Sequence, residues 1–171
     1  MSWMIKVTLV PMVLAMLVTT TSCSAEKAGS PAVPAAPEQA EAQEEVAWLT
    51  DFEVAKKMAT EKGRPILADF SGSDWCGWCI KLDNEVFSKP AFQAYAKDSL
   101  ILFLADFPSR KKLPEATQKQ NEALSKTYGI RGFPTVLILD AEGKVLAKTG
   151  YQRGGPEAYV AHLKELTGGE K

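Results

Sequence analysis

The run SLILFLADF, Ser99 to Phe107, holds six consecutive apolar residues, Leu100 to Ala105, with no polar residue among them. A strand with one wet face alternates apolar and polar residues. An unbroken apolar run bounded by polar segments marks a strand buried on both faces. Such a strand needs helices above and below it, which restricts the chain to layered α/β architectures. RPILADF (Arg64–Phe70) and PTVLILD (Pro134–Asp140) read as further short strands.

The segments between the strands carry helical spacing. WLTDFEVAKKMATEKG puts Trp48, Phe52, Ala55 and Ala59 on one face, with Thr50 and Glu53 as a capping box and Gly63 as a stop. The segment that begins at Cys76 reads as a helix with Leu82 and Val86 on the face of Cys79. Ser88 and Pro90 open another helical piece through Phe92 and Tyr95. After the polar loop PSRKKLP, EATQKQNEALSKTYG is amphipathic, with Ala116, Gln120, Ala123, Leu124 and Thr127 along one side. Asp140 to Gly143 form a turn into KVLAKTG, which predicts an antiparallel hairpin. PEAYVAHLKEL closes the chain as a helix with Tyr159, Leu163 and Leu166 at helical spacing. Strands that alternate with helices predict parallel pairing, to which the hairpin adds an antiparallel strand. The expected fold is α/β: a central mixed sheet of about four strands flanked by helices, with an additional N-terminal helix.

Before this domain lie two segments of other character. Residues 1–22 begin with a single charge, Lys6, followed by an apolar run from Val7 to Val18 and small residues up to Cys23. That order describes a secretory signal peptide, and the run is too short to span a bilayer comfortably. Residues 23–45 are rich in Ala, Pro and Glu and cannot bury enough apolar surface to offset their ordering entropy, so they read as a flexible tether. The folded domain is expected over 46–168. The ending TTSC resembles a bacterial lipoprotein signal, which implies lipidation of Cys23 and attachment to the periplasmic side of a bacterial membrane.

The chain has 171 residues, a net charge of −1, three cysteines and one histidine. No basic patch argues for nucleic acid. The cysteines are too few for a disulfide scaffold, and the ligands too few for most zinc sites. Cys76 and Cys79 stand three apart, with Trp75 before the first and Trp78 before the second, which leaves three readings: a redox couple, half of a metal site, or buried thiols. A metal site finds only His162 as a further soft ligand, and His162 reads as a solvated or edge residue.

A strand that feeds Trp75-Cys76-Gly77-Trp78-Cys79 at a helix start, followed late in the chain by Gly132-Phe133-Pro134-Thr135 opening a hairpin, resembles the thioredoxin family. The similarity runs from Trp48 to Leu166. It implies a thiol–disulfide oxidoreductase that needs no cofactor, exchanges disulfides with protein thiol substrates and a redox partner protein, and works as a monomer. A helix N-terminus stabilises negative charge, so Cys76 is expected to be the exposed, low-pKa nucleophile. Cys79, one turn further in, is expected to be the buried resolving thiol, paired with Cys76 as a disulfide in the oxidised form. Pro134 falls at the family's cis-proline position, with Phe133 at the substrate edge and Arg131, Gly132 and Thr135 shaping the loop. Gly77 lets the backbone approach a partner. Trp75 resembles the family's Trp before the first cysteine and walls the site. Trp78 stands where the commonest form of the family has Pro. It packs against a neighbouring loop, or tunes the redox potential and selects partners. Asp69 resembles the family's buried acid, which exchanges the proton of the resolving cysteine. Six residues separate it from Cys76, one more than in thioredoxin, so a strand-end acid is the alternative, with Asp74 next to the motif. A binding, assembly or metal-delivery module of the same fold is the second functional reading.

Overall fold

The computed structural model describes residues 46–168. The expected signal peptide, Cys23 and the expected tether lie outside the described residues. The element order is α1 (Phe52–Lys62), β1 (Ile66–Ser71), α2 (Gly77–Leu82), a π-helical turn (Asp83–Phe87), α3 (Pro90–Ser99), β2 (Ile101–Asp106), α4 (Glu115–Thr127), β3 (Thr135–Leu139), β4 (Val145–Thr149) and α5 (Gly155–Leu166). The four strands form one sheet in the order β2-β1-β3-β4.

Strand alternation divides the core into two layers, because successive side chains on a strand point to opposite faces. Ile66, Ala68, Phe70, Ile101, Phe103 and Leu137 face α1 and α4. Leu67, Leu102, Val136 and Ile138 face the other way, onto Leu82, Val86, Phe92, Tyr159 and Leu163 of the α2, α3 and α5 side. β1 and β3 are buried at every position, as two-sided cover requires. Burying a large side chain such as Phe70 or Phe103 completely contributes about 2–3 kcal/mol before entropy is counted. Among the described residues, no helix is long and apolar enough to cross a membrane.

Four local expectations are corrected. The capping box at Thr50 is not used: Asp51 is the N-cap of α1, and its carboxylate accepts from the N–H groups of Glu53 and Val54 at 2.9 and 3.1 Å. The helix therefore starts after Trp48. Residues 46–50 instead run along the outer edge of β2, where Leu49 exchanges backbone hydrogen bonds with Leu102 and Leu104. Trp48 thus packs on Phe87, in the layer opposite Phe52. Lys89, not Ser88, precedes α3, and the Ser88 hydroxyl bonds back to the Asn84 carbonyl. The inward face of α4 carries Asn121 and Leu124, while Ala116, Ala123 and Thr127 are exposed. Asn121 is buried because its side-chain N–H donates to the Asp106 carbonyl, a polar anchor that a hydrophobic-spacing argument passes over.

The largest correction concerns β3. β1 and β2 are parallel as expected, yet β3 runs antiparallel to β1, with Ile66 opposite Leu139 and Phe70 opposite Thr135. β4 then pairs antiparallel with β3, as the hairpin predicts. The reversal places the start of β3, and so Pro134, beside the end of β1 from which the two cysteines emerge.

Candidate active site

β1 ends at Ser71, and the next four residues turn the chain into α2. The Trp75 and Cys76 amides both donate to the Gly72 carbonyl, at 3.2 and 2.9 Å. A Cβ at Gly72 would fall 2.6 Å from the Trp75 ring, so only glycine lets the indole lie back over this turn. In that position Trp75 Nε1 donates to the Phe107 carbonyl at 2.8 Å, and its ring meets Phe133 edge-on at 5.9 Å. Phe133 also packs on Phe107 at 5.1 Å. Asp74 accepts from the backbone N–H groups of Ser109, Arg110 and Lys111 at 2.7–3.2 Å. These hydrogen bonds hold its carboxyl below the usual carboxylate range. Asp74 and Trp75 together fasten the loop after β2 against the site.

Cys76 is the N-cap of α2 and is bonded to Cys79 as a disulfide. Its Sγ accepts the Cys79 N–H at 3.2 Å, a donor shared with the Cys76 carbonyl at 3.0 Å, so an amide of the helix start points at the sulfur. Cys79, Leu82 and Val86 share the buried face, as their spacing predicts. Cys76 is more covered than expected: it is 7 % exposed, against 4 % for Cys79. The disulfide draws Cys76 against the helix, and the difference in access between the two sulfurs is small in this state.

The Phe133–Pro134 peptide bond is cis. Thr135 Oγ1 donates to the Gly132 carbonyl at 2.8 Å, which closes the loop on itself. Trp75 and Trp78 are 50 % and 53 % exposed, large apolar surfaces adjoining the cysteine pair in the chain. Trp78 stacks on Tyr151, in the loop after β4, at 5.2 Å, and Lys81 Nζ stands 5.3 Å from both rings. Tyr151 in turn donates to Glu85 at 2.6 Å. A Cβ at Gly77 would meet nothing, so this backbone is open to an approaching chain. His162 lies away from this group and bonds Thr149.

Asp69 sits on the α2 side of β1 and is 5 % exposed. It lines a cavity of 280 Å³ together with Ser71, Ser73, Cys79 and Asp83. Despite the extra residue in the turn, Asp69 shares a cavity wall with Cys79. Burial pushes its carboxyl up to about 8, with further contributions from Asp83 and Asp106. Among the described residues, Asp69 Oδ1 has no hydrogen-bond partner. Gly72, Phe107, Tyr151 and Asp83 were not singled out from sequence as site residues. Only the spacing of Asp83, four after Cys79 on a helix, could have pointed to one of them.

Fold and cysteine pair together define a thioredoxin-like protein. The family model described as a thioredoxin-like domain matches residues 52–167, and the chain belongs to that family. It is 40 % identical over 101 residues to the disulfide bond reductase DsbH of Chlamydia pneumoniae, covering 59 % of this chain and 61 % of that protein. It is 28 % identical over 116 residues to the thiol:disulfide interchange protein DsbD of Escherichia coli strain K12, covering 66 % of this chain and 19 % of that protein. The chain thus spans less than two thirds of these relatives' lengths. A solved structure titled DsbH oxidoreductase superposes with a TM-score of 0.68 at 34 % identity, over 71 % of this chain and 84 % of that one. The chain is a homologue of thiol–disulfide oxidoreductases and keeps their CxxC pair.

Proposed function

We propose that this chain is an exported thiol–disulfide oxidoreductase that transfers two electrons between its Cys76–Cys79 dithiol and protein disulfides. The observation that carries the reading is the tip of α2, where Cys76 Sγ is bonded to Cys79 and receives the Cys79 N–H. The same donor stabilises a Cys76 thiolate once the disulfide is reduced.

In the reductive direction, the Cys76 thiolate attacks one sulfur of a substrate disulfide. A mixed disulfide forms, and the other substrate sulfur leaves as thiolate. Cys79 then gives its proton to the Asp69 carboxylate and attacks Cys76 Sγ. The Cys76–Cys79 bond closes and the second substrate thiolate leaves, so the substrate gains the two electrons that the dithiol loses. Asp69 suits this role because it shares a cavity wall with Cys79 and its proton affinity lies near neutral pH. Trp75, Phe133 and the Pro134 loop form the wall against which an extended substrate lies, and Trp78 adds a further exposed apolar surface. Similarity to a protein named a disulfide bond reductase supports the reductive direction.

The N-terminal sequence supports export, with Cys23 as the lipidated first residue of the mature protein and residues 23–45 as a tether to the periplasmic face. Mass spectrometry of the mature N-terminus tests the anchor, and a chain that starts elsewhere refutes it. Insulin reduction with a dithiol donor tests the activity. Cys76→Ser abolishes it and Cys79→Ser accumulates mixed disulfides. An intact fold without turnover would point to a binding or assembly module instead.

A further inference from the structure

The loop after β2 carries Ser109, Arg110, Lys111 and Lys112, all four exposed. Consecutive cations on a loop are ordinarily no more than a solvated surface. Here the backbone beneath them is fixed to the site. Asp74, two residues before Cys76, accepts from the amides of Ser109, Arg110 and Lys111 at 2.7–3.2 Å. At the root of the loop, the Phe107 carbonyl receives the Trp75 indole N–H, and the Phe107 ring packs on Phe133. The loop therefore continues the wall made by Trp75, Phe133 and the Pro134 loop. Arg131, two residues before Phe133, is a further exposed cation in that second loop.

None of these four cations forms an ion pair among the described residues, and Arg110 acts on the Asp74 carboxylate only at longer range. Their place beside the cysteines sets them apart from other unpaired cations of the surface. The acids of this region are Asp74, Asp106 and Glu122. Asp74 is taken up by the loop amides, and Asp106 by the N–H and hydroxyl of Ser73. Glu122 accepts from Gln118 and lines, with Lys111 and Lys112, a cavity of 200 Å³ between the loop and α4. Four cations thus stand near three carboxylates. The field is weak at a distance, and the cations act on groups that come into contact with them.

We propose that Arg110, Lys111 and Lys112 form a subsite that selects protein substrates carrying glutamate or aspartate beside the disulfide to be reduced. The proposal rests on the reading of Cys76 and Cys79 as an oxidoreductase couple. An extended chain laid along the wall of Trp75 and Phe133 advances about 3.3–3.6 Å per residue. An acidic residue a few positions from its cysteine therefore passes the rim of the loop while the cysteine stands at Cys76. The loop backbone is held before the substrate arrives, so less ordering entropy opposes the contact. A substrate with lysine or arginine at the same positions meets like charges and is disfavoured, which turns a modest attraction into selection.

The test uses the full chain, with dithiothreitol as electron donor, and three peptides that share one disulfide and differ only in its flanking residues: glutamate, glutamine or lysine. The readout is the ratio of kcat/KM between peptides. Wild type is expected to favour the glutamate peptide over the glutamine peptide about fivefold, as two exposed ion pairs would give, and to use the lysine peptide least. The preference shrinks as salt rises. R110Q/K111Q/K112Q brings the ratio to about one, R110E/K111E/K112E inverts it in favour of lysine, and Arg110→Lys keeps it. A loop with a purely structural role would lower turnover on all three peptides alike in these variants and leave the ratio in place, which overturns the proposal. Wild type that does not distinguish the peptides overturns it too, and if the chain then binds vesicles of anionic phospholipid, the cations belong to a membrane contact instead. Failure to reduce any of the three peptides refutes the oxidoreductase reading, and the subsite with it.

Discussion

Replacing Asp69 with Asn is expected to stabilise the oxidised protein at neutral pH, although it removes a group from the site. The carboxyl binds its proton with a pKa of about 8 in the folded chain and 3.8 in the unfolded one. Its folded value is raised, so its contribution to stability is fully present below pH 3.8 and is lost as pH rises through the folded value. Between the two values the unfolded chain releases a proton that the native chain retains. Each pH unit in that interval costs the native state about 1.36 kcal/mol, which amounts to about 4 kcal/mol at pH 7 and levels off above the folded value. The causes are burial first, then the carboxylates of Asp83 and Asp106. A neutral amide of the same shape has no charge for burial or for these carboxylates to disfavour. Urea unfolding of wild type and Asp69→Asn at pH 4, 5.5, 7 and 8.5 checks this directly. The two proteins should have nearly equal stability at the lowest pH, and the variant should pull ahead by about 1.4 kcal/mol per unit through the middle of the series. Parallel stability curves for the two proteins would show that the ionised form of Asp69 is not disfavoured in the fold, and the argument from burial would fail.

Gly72→Ala should push the Trp75 indole off the turn, because the new methyl has no room beside the ring; loss of the Trp75–Phe107 hydrogen bond appears as a change in tryptophan fluorescence, with a cost of about 1–3 kcal/mol in thermal unfolding. Asp74→Asn should speed hydrogen exchange at the Ser109, Arg110 and Lys111 amides while β1 amides stay protected. Because the folded pKa of Asp74 is lowered, its contribution is present above the ordinary value of 3.8, and wild type should keep this protection as pH falls until it passes below that value. Tyr159→Phe should cost about 1 kcal/mol in urea unfolding, since it deletes only the hydroxyl that donates to the Gly150 carbonyl from a fully buried ring. An unchanged midpoint there would mean that the bond adds nothing over solvation.

The sequence by itself determined the elements and the chemistry carried by consecutive residues. Apolar runs fixed the three core strands, because a strand buried on both faces is written mostly with apolar residues. The Cys76–Cys79 spacing put both sulfurs on one helical turn, and the order of motifs put Pro134 at the head of a hairpin. What it did not determine depends on contacts between residues far apart in the chain. The direction of β3 is one case, since apolar strands read alike in either orientation and only pairing with β1 brings Thr135 to Phe70. The start of α1 is another: Trp48 has helical spacing with Phe52, yet it serves the opposite layer because residues 46–50 pair with the edge of β2. The inward face of α4 was set by Asn121 reaching the Asp106 carbonyl rather than by its alanines. The site divides the same way. The cysteines, Trp75 and Pro134 are local motifs, whereas the state of Asp69 follows from a cavity whose walls come from residues 48 to 104, and burial, which sets its proton affinity, is a property of the assembled fold alone.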